Sequence, residues 1–126
     1  MSEVDWRREI DRLAGAYADT TLRGYRADFA IFERWCRANG LQPIPSEPET
    51  VAEFIAADAA TSATSTLKRR LCAIRKVHRL LRLPSPVDDE EVTIALRRAM
   101  MSGYWYAESR LAAGSSTSIL TNAPTH

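Results

Sequence analysis

The stretch Ser65–Leu83, STLKRRLCAIRKVHRLLRL, constrains this chain more than any other segment. Seven Lys and Arg fall in the fifteen positions from Lys68 to Arg82, with no acid among them. Projected at about 100° per residue, Lys68, Arg69, Arg75, Lys76, Arg79 and Arg82 share one arc of roughly 140°. Leu67, Leu71, Ile74, Val77, His78 and Leu81 take the opposite side. A helix divided in this way docks its apolar edge on a core and offers its cationic edge to something negative.

At 126 residues the chain is sized for one domain. A fold of this size buries roughly two-thirds of the surface that its unfolded chain exposes, so a proper core is feasible. The total of 17 basic against 16 acidic residues looks neutral, yet the charge is unevenly placed. Residues 1–60 hold eleven acids and seven Arg, whereas 61–87 hold only bases. Such asymmetry points to a polyanionic partner better than net charge does. Cys36 and Cys72 are read as two buried free thiols on apolar helical faces, since no metal spacing or disulfide framework accompanies them. The charged start, MSEVDWRREI, is no secretion signal, and no apolar run is long enough to cross a bilayer. A cytoplasmic protein is expected.

The periodicity predicts an all-α protein, a compact bundle of four to five helices with no sheet. The first helix is expected from about Val4 to Tyr17, with Trp6, Ile10, Leu13 and Tyr17 at helical spacing and Gly15 weakening its end. The second starts at a cap drawn from Asp19, Thr20 and Thr21, and Asn39-Gly40 stops it. Its apolar stripe is Leu22, Tyr25, Phe29, Phe32 and Cys36, and Arg23, Arg26, Arg34 and Arg37 share the other side with Glu33. The proline-rich LQPIPSEP is a connector. Ser46 is expected to cap a third helix whose face is Val51, Phe54 and Ile55. TSATS caps the basic fourth helix, and Pro84 and Pro86 end it. Asp88, Asp89, Glu90 and Glu91 open a fifth, carrying Val92, Leu96 and Ala99 on one face and ending near Met100 or Met101. Residues 102–126 lose all period and read as an irregular tail, anchored through Tyr104, Trp105 and Tyr106.

Catalytic patterns are missing. Asp88–Glu91 is a helix-start device, His78 lies on the apolar side where a lone histidine is more often packed than catalytic, and His126 is terminal. No Gly-rich phosphate loop, H-E-x-x-H or G-x-S-x-G occurs. No cofactor, metal or small-molecule substrate is expected. Arginine outnumbers lysine fifteen to two, and its planar fork suits phosphates and guanine edges. DNA, RNA and acidic protein all remain open on these grounds. Membrane is the weakest candidate, because the apolar face is needed for the core.

Four segments in order resemble successive helices of one known domain: DTTLRGYRADFAIFERWCRANG, IPSEPETVAEFIA, SATSTLKRRLCAIRKVHRLLRLPSP and VTIALRRAM. They are similar to the N-terminal core-binding, SAM-like domain of tyrosine recombinases, the phage integrase and Cre recombinase family. The shared features are T-x-x-x-Y-x-x-D-x-x-x-F-x-x-W-C, the P-x-x-P-x-x-V-x-x-F step and S-T-hydrophobic-x-x-x-L-x-x-I-x-x-x-H. The resemblance spans about residues 18–100. It implies an N-terminal helix over 1–17, a core-binding domain over 18–101 and a tail over 102–126 without the family's catalytic domain. It further implies double-stranded DNA as partner, held in a clamp, with the second and fourth helices at the major groove. By position, Thr21 and Arg23 match contact sites, with Gly24 beside them, and Thr66 and Arg69 match sites early in the fourth helix. Ser65 and Lys68 are neighbours within reach of phosphates, and the outward arginines and lysines Arg26, Arg75 and Lys76 complete the expected DNA-binding set. Tyr104 and Tyr106 lack the cationic cluster that a recombinase nucleophile requires. The expected function is thus a non-catalytic DNA-binding portion of a recombinase or integrase, truncated near Met101. The rival reading is a helical module that contacts other recombinase protomers without DNA. Arg69→Ala is expected to weaken DNA binding while sparing the fold.

Overall fold

The computed structural model describes residues 5–101, and every regular element within them is helical. Helix α1 spans Trp6–Asp11, α2 Asp19–Ala38, α3 Pro48–Asp58 and α4 Thr64–Leu80. A 3-10 turn at Pro86–Asp88 leads into α5, helical over 90–101. The all-α expectation holds. The Val4 start of the first helix and the tail with its Tyr104, Trp105 and Tyr106 anchor lie outside the described residues.

Helix α1 is shorter than its periodicity predicts. Asp5 caps it by accepting a hydrogen bond from the Arg8 amide, and Trp6 and Ile10, one turn apart, are its buried face. After Arg12 the chain turns through Gly15, whose φ of +90° is cheap only without a side chain. Leu13 and Tyr17 therefore belong to a turn, not to a fourth helical step.

Two helices end in the same way. At the end of α2, the Gly40 amide donates to the Arg37 carbonyl and the Leu41 amide to the Cys36 carbonyl. Gly40 has φ +69°, so the pattern is a Schellman stop, with Leu41 folded onto the core. At the end of α4, Arg82 and Leu83 donate to the carbonyls of Arg79 and His78. Here an arginine, not a glycine, takes the left-handed position, with φ 60°.

Three caps expected from the sequence are not made. Residues Ala18, Glu47 and Ala63 occupy the N-cap positions of α2, α3 and α4, and no side chain there accepts a capping hydrogen bond. Pro48 still opens α3, where its missing N–H costs nothing. Ser46 has another task. Its amide donates to Nε2 of His78 at 3.1 Å, while Nδ1 of that ring lies 2.9 Å from the Ile74 carbonyl. The proton therefore sits on Nδ1 and Nε2 accepts. One buried imidazole thus ties the connector, which contains the cis Ile44–Pro45 bond, to the last turn of α4.

The core lies where α2 and α4 cross, closed by α1 on one side and α3 on another. Helix α2 contributes Leu22, Phe29, Phe32 and Cys36, and α4 contributes Leu67, Leu71, Ile74 and Val77. An edge-to-face series links three helices, α1, α2 and α3: Trp6 to Phe29 (4.7 Å), Phe29 to Phe32 (5.7 Å), Phe32 to Phe54 (5.1 Å). Each such pair adds about 0.5–1.5 kcal/mol beyond the area it buries. From α5, Val92 is buried and Leu96 and Ala99 pack partly against the core, as their spacing predicts.

Burial holds the His78 pKa below its ordinary value, so the folded chain keeps the ring neutral. Below the unfolded value of about 6.5, only the unfolded chain takes up this proton, and folding stability falls as pH drops until the folded pKa is reached. We predict that the melting temperature declines on going from about pH 7 to pH 5, and that His78→Leu removes part of this decline. The same variant should cost about 1–3 kcal/mol at neutral pH, through the Ser46 amide left without an acceptor. Thermal melts across pH check both.

Candidate nucleic-acid interface

Helix α4 turns its cationic edge outward. Ser65, Lys68, Arg69 and Arg79 are exposed, and Thr66, Arg75 and Lys76 are half-buried. On α2, Thr21 and Arg23 are exposed, and Gly24 and Arg26 are half-buried. All the residues expected to hold DNA reach the surface, but they do not form one row.

The junction of α2 and α4 is organised by Asp28, which is 2% exposed. Its Oδ2 accepts from Arg69 Nε at 2.8 Å and its Oδ1 from Arg69 Nη2 at 3.2 Å. Oδ1 also lies 3.8 Å from Arg70 Nε. Arg70 runs the other way along the surface: its Nη1 donates to both Asp58 oxygens, at 2.7 and 2.8 Å, and to Ser62 Oγ at 3.0 Å. The side chain of Arg69 stays 62% exposed, while that of Arg70 is only 14% exposed. Hydrogen bonding to Asp28, reinforced by its charge, pushes the Arg69 pKa further above its already high value. Arg69 is cationic at any pH of interest.

Contacts run in opposite order along the two helices. Asp28 meets Arg69, whereas the earlier Tyr17 and Tyr25 meet the later Lys76, whose ammonium donates to Tyr17 Oη at 2.8 Å and lies over both rings. At 1.5 Å per residue, Thr21 sits roughly 10 Å along α2 from Asp28, and Ser65 roughly 6 Å along α4 from Arg69 in the opposite sense. The two groups of expected contact residues therefore flank the Asp28–Arg69 junction instead of merging. Their combined span is comparable with a major groove about 12 Å wide.

The arginine row of α2 faces elsewhere. At about 100° per residue, Arg23, Arg26, Arg34 and Arg37 lie roughly 120–180° round the helix from Asp28. Arg26 is held by Asp11 at 2.8 Å and Arg37 by Glu33 at 3.3 Å, both toward α1. Glu33 also accepts from Trp6 Nε1 at 3.1 Å. On the flank that meets α4, one turn before Asp28, stands Gly24. A Cβ placed there meets nothing within 4 Å, so its absence serves no contact inside the molecule. A glycine in a helix interior costs about 1 kcal/mol relative to alanine.

Further along α4, Arg75 and Arg79 both reach Asp88, at 3.2 and 3.5 Å. Asp88 thus neutralises cations of the basic helix, and α5 starts after it, not at it as the acidic run predicts. Arg23, Lys68 and Arg82 have no ion-pair partner among the described residues. Cys72 corrects another expectation: it is exposed, among the cations, while Cys36 is fully buried and its thiol is pushed up to about 12 by desolvation. The sequence carries Asp28 as the acid of the T-x-x-x-Y-x-x-D motif but assigns it no role, although one signal for a partner is present. On the wheel it lies about 40° from Phe32, between Phe32 and Trp35, where an acid requires a partner.

Among the described residues, no three or more His, Cys, Asp or Glu come together to hold a metal ion, and no helix is long and apolar enough to cross a membrane. The phage integrase N-terminal SAM-like domain model matches residues 12–83, more than half of the chain. The chain is 36% identical over 67 residues to the integrase/recombinase xerD homolog of Selenomonas ruminantium, covering 53% of this chain and 20% of that protein. It is 32% identical over 84 residues to the recombinase cre of Escherichia phage P1, covering 66% of this chain and 24% of that one. The chain thus aligns with about a fifth to a quarter of the length of these relatives. Its matched segment begins just past α1, runs through α4 and includes the Asp28–Arg69 junction, and on this basis the chain belongs to the phage integrase family, as an N-terminal SAM-like, core-binding domain of the tyrosine recombinases.

Proposed function

We propose that this domain holds double-stranded DNA for site-specific recombination or integration and contributes grip, not bond cleavage. The observation that carries the reading is the outward edge of α4, where Ser65, Lys68 and Arg69 stand exposed at the helix start. A helix N-terminus with free amides and nearby cations suits phosphate, and a family of DNA recombinases supplies the matching partner. Thr21 and Gly24 extend the contact along α2, and Thr66, Arg75 and Lys76 lie at its margins, whereas Arg23 and Arg26 are turned to the other side of α2 and stand apart from it. Several of these cations already have partners inside the fold, so the surface delivers less charge than its sequence advertises. The chemistry of strand exchange belongs to parts of a recombinase that this domain does not supply.

A second reading, contact with other recombinase protomers, is favoured by one feature. Between α4 and α5 opens a groove of about 580 Å³, floored by Leu71, Val87, Val92 and Leu96 and edged by Met100 and Met101, of which Met101 is 68% exposed. Sedimentation with and without DNA separates the two, since assemblies that form and ignore DNA favour the second.

If about four phosphates are neutralised, the logarithm of the DNA association constant should fall with the logarithm of salt at a slope near −3.6. Lys68→Ala should flatten this slope by roughly 0.9 and leave stability within about 0.5 kcal/mol of the parent. Leu71→Ala, in the core, should cost about 2–5 kcal/mol of stability. Arg69→Ala should weaken DNA binding but also lower the melting temperature, because it withdraws a partner from a buried carboxylate; the expectation that it spares the fold is revised. Gly24→Ala should stabilise the free domain by up to about 1 kcal/mol while weakening its hold on DNA. Fluorescence-anisotropy titrations on duplex DNA over a salt series, beside thermal melts, test all four. Absence of affinity at low salt sinks the proposed function.

A further inference from the structure

Asp28 has no route to DNA of its own, being buried and negative, yet it holds the one arginine placed at the centre of the candidate interface. An arginine presents two forked edges, one formed by Nε and Nη2 and the other by Nη1 and Nη2. Asp28 occupies the first edge, at 2.8 and 3.2 Å. The second edge is left facing out from a side chain that is 62% exposed, and Nη1 makes no hydrogen bond among the described residues. A free arginine would lose much of its rotamer freedom on gripping a phosphate, a cost of about 2 kcal/mol at most. Here that freedom is already gone, and the guanidinium is fixed from the opposite helix. The open space beside Gly24, one turn away on the same flank of α2, leaves room for a backbone to approach.

Two physical effects compete at this pair. Neutralisation by Asp28 weakens the attraction of Arg69 for a polyanion. Preorganisation strengthens its grip on one phosphate or one guanine edge. We infer that preorganisation dominates, and that Asp28 is a positioning residue for DNA recognition, acting through Arg69. It couples α2 to α4 at a point between the two groups of contact residues, so a phosphate seated on Arg69 is located relative to both helices. The inference rests on the proposed grip on DNA and deepens it.

The opposing effects give opposite signs, which makes the test direct. The probe is a mixed-sequence DNA duplex of about 30 base pairs, titrated at several salt concentrations with the full chain and its variants. Asp28→Asn removes the negative charge and one forked contact but keeps the side-chain size. Positioning predicts that it binds about five- to tenfold more weakly, the worth of one charge-assisted contact. The double variant with Arg69→Ala should then bind within about twofold of Arg69→Ala alone, as expected when one residue acts through the other. Arg69→Lys keeps the charge and loses the fork, and should behave like Arg69→Ala. Tighter binding by Asp28→Asn with a steeper salt slope would mean that neutralisation wins, and overturns the inference. So does an Asp28→Asn loss of equal size in the Arg69→Ala background. If Asp28→Asn does not fold, Arg69→Lys decides: binding equal to the parent chain overturns the inference, and a loss matching Arg69→Ala supports it. Failure of the parent chain itself to bind is a different result, because it removes the DNA reading and this inference together.

Discussion

Apolar contact has no direction, so the packing of α2 on α4 through Phe29, Phe32, Leu71 and Ile74 would by itself tolerate sliding. The buried carboxylate of Asp28 removes that freedom. It sits inside the apolar seam and meets successive residues of α4, bonded to Arg69 and close to Arg70. A shift of one helical turn would strand a buried charge, a cost of about 3–5 kcal/mol. A buried ion pair is a poor source of net stability compared with apolar side chains of the same size, and its value here is register. With the two long helices locked in one alignment, the arms of the domain follow. Arg70 reaches on to Asp58 at the end of α3, and His78 anchors the connector that precedes α3.

The basic helix looks very different in three dimensions from its linear charge count. Residues 61–87 contain no acid, yet acids from three other places converge on them: Asp28 from α2, Asp58 from α3 and Asp88 from the turn after α4. Lys76 is met by two aromatic rings instead. The asymmetry in sequence is thus partly cancelled by folding. A charge run read along the chain measures what the helix brings, whereas its strength toward a polyanion depends on what the fold leaves uncompensated.

What was legible in the sequence was whatever depends on local spacing. The period of Leu67, Leu71, Ile74 and Val77 foretold the buried edge of α4, and Asn39-Gly40 foretold the stop of α2. Details that depend on distant partners were not legible. Ser46 has the right chemistry for a cap, but a buried imidazole 32 residues away takes its amide. Asp28 pairs across 41 residues, a relation no helical wheel contains. The misplacement of Cys72 has a different origin. Its neighbour Ala73 is apolar and buried, and adjacent residues lie about 100° apart on a helix, so the flank of one says little about the other. On the wheel Cys72 falls between Lys68 and Lys76, within the cationic arc.

That placement has a practical side. Of the two thiols, Cys36 is enclosed and held in its unreactive protonated form, whereas Cys72 stands open to reagents on the outward edge of α4. The two are chemically distinguishable without any engineering. A reporter dye or a crosslinker carried on a thiol-reactive group would find a single address among the described residues. That address is the helix whose surroundings most need watching.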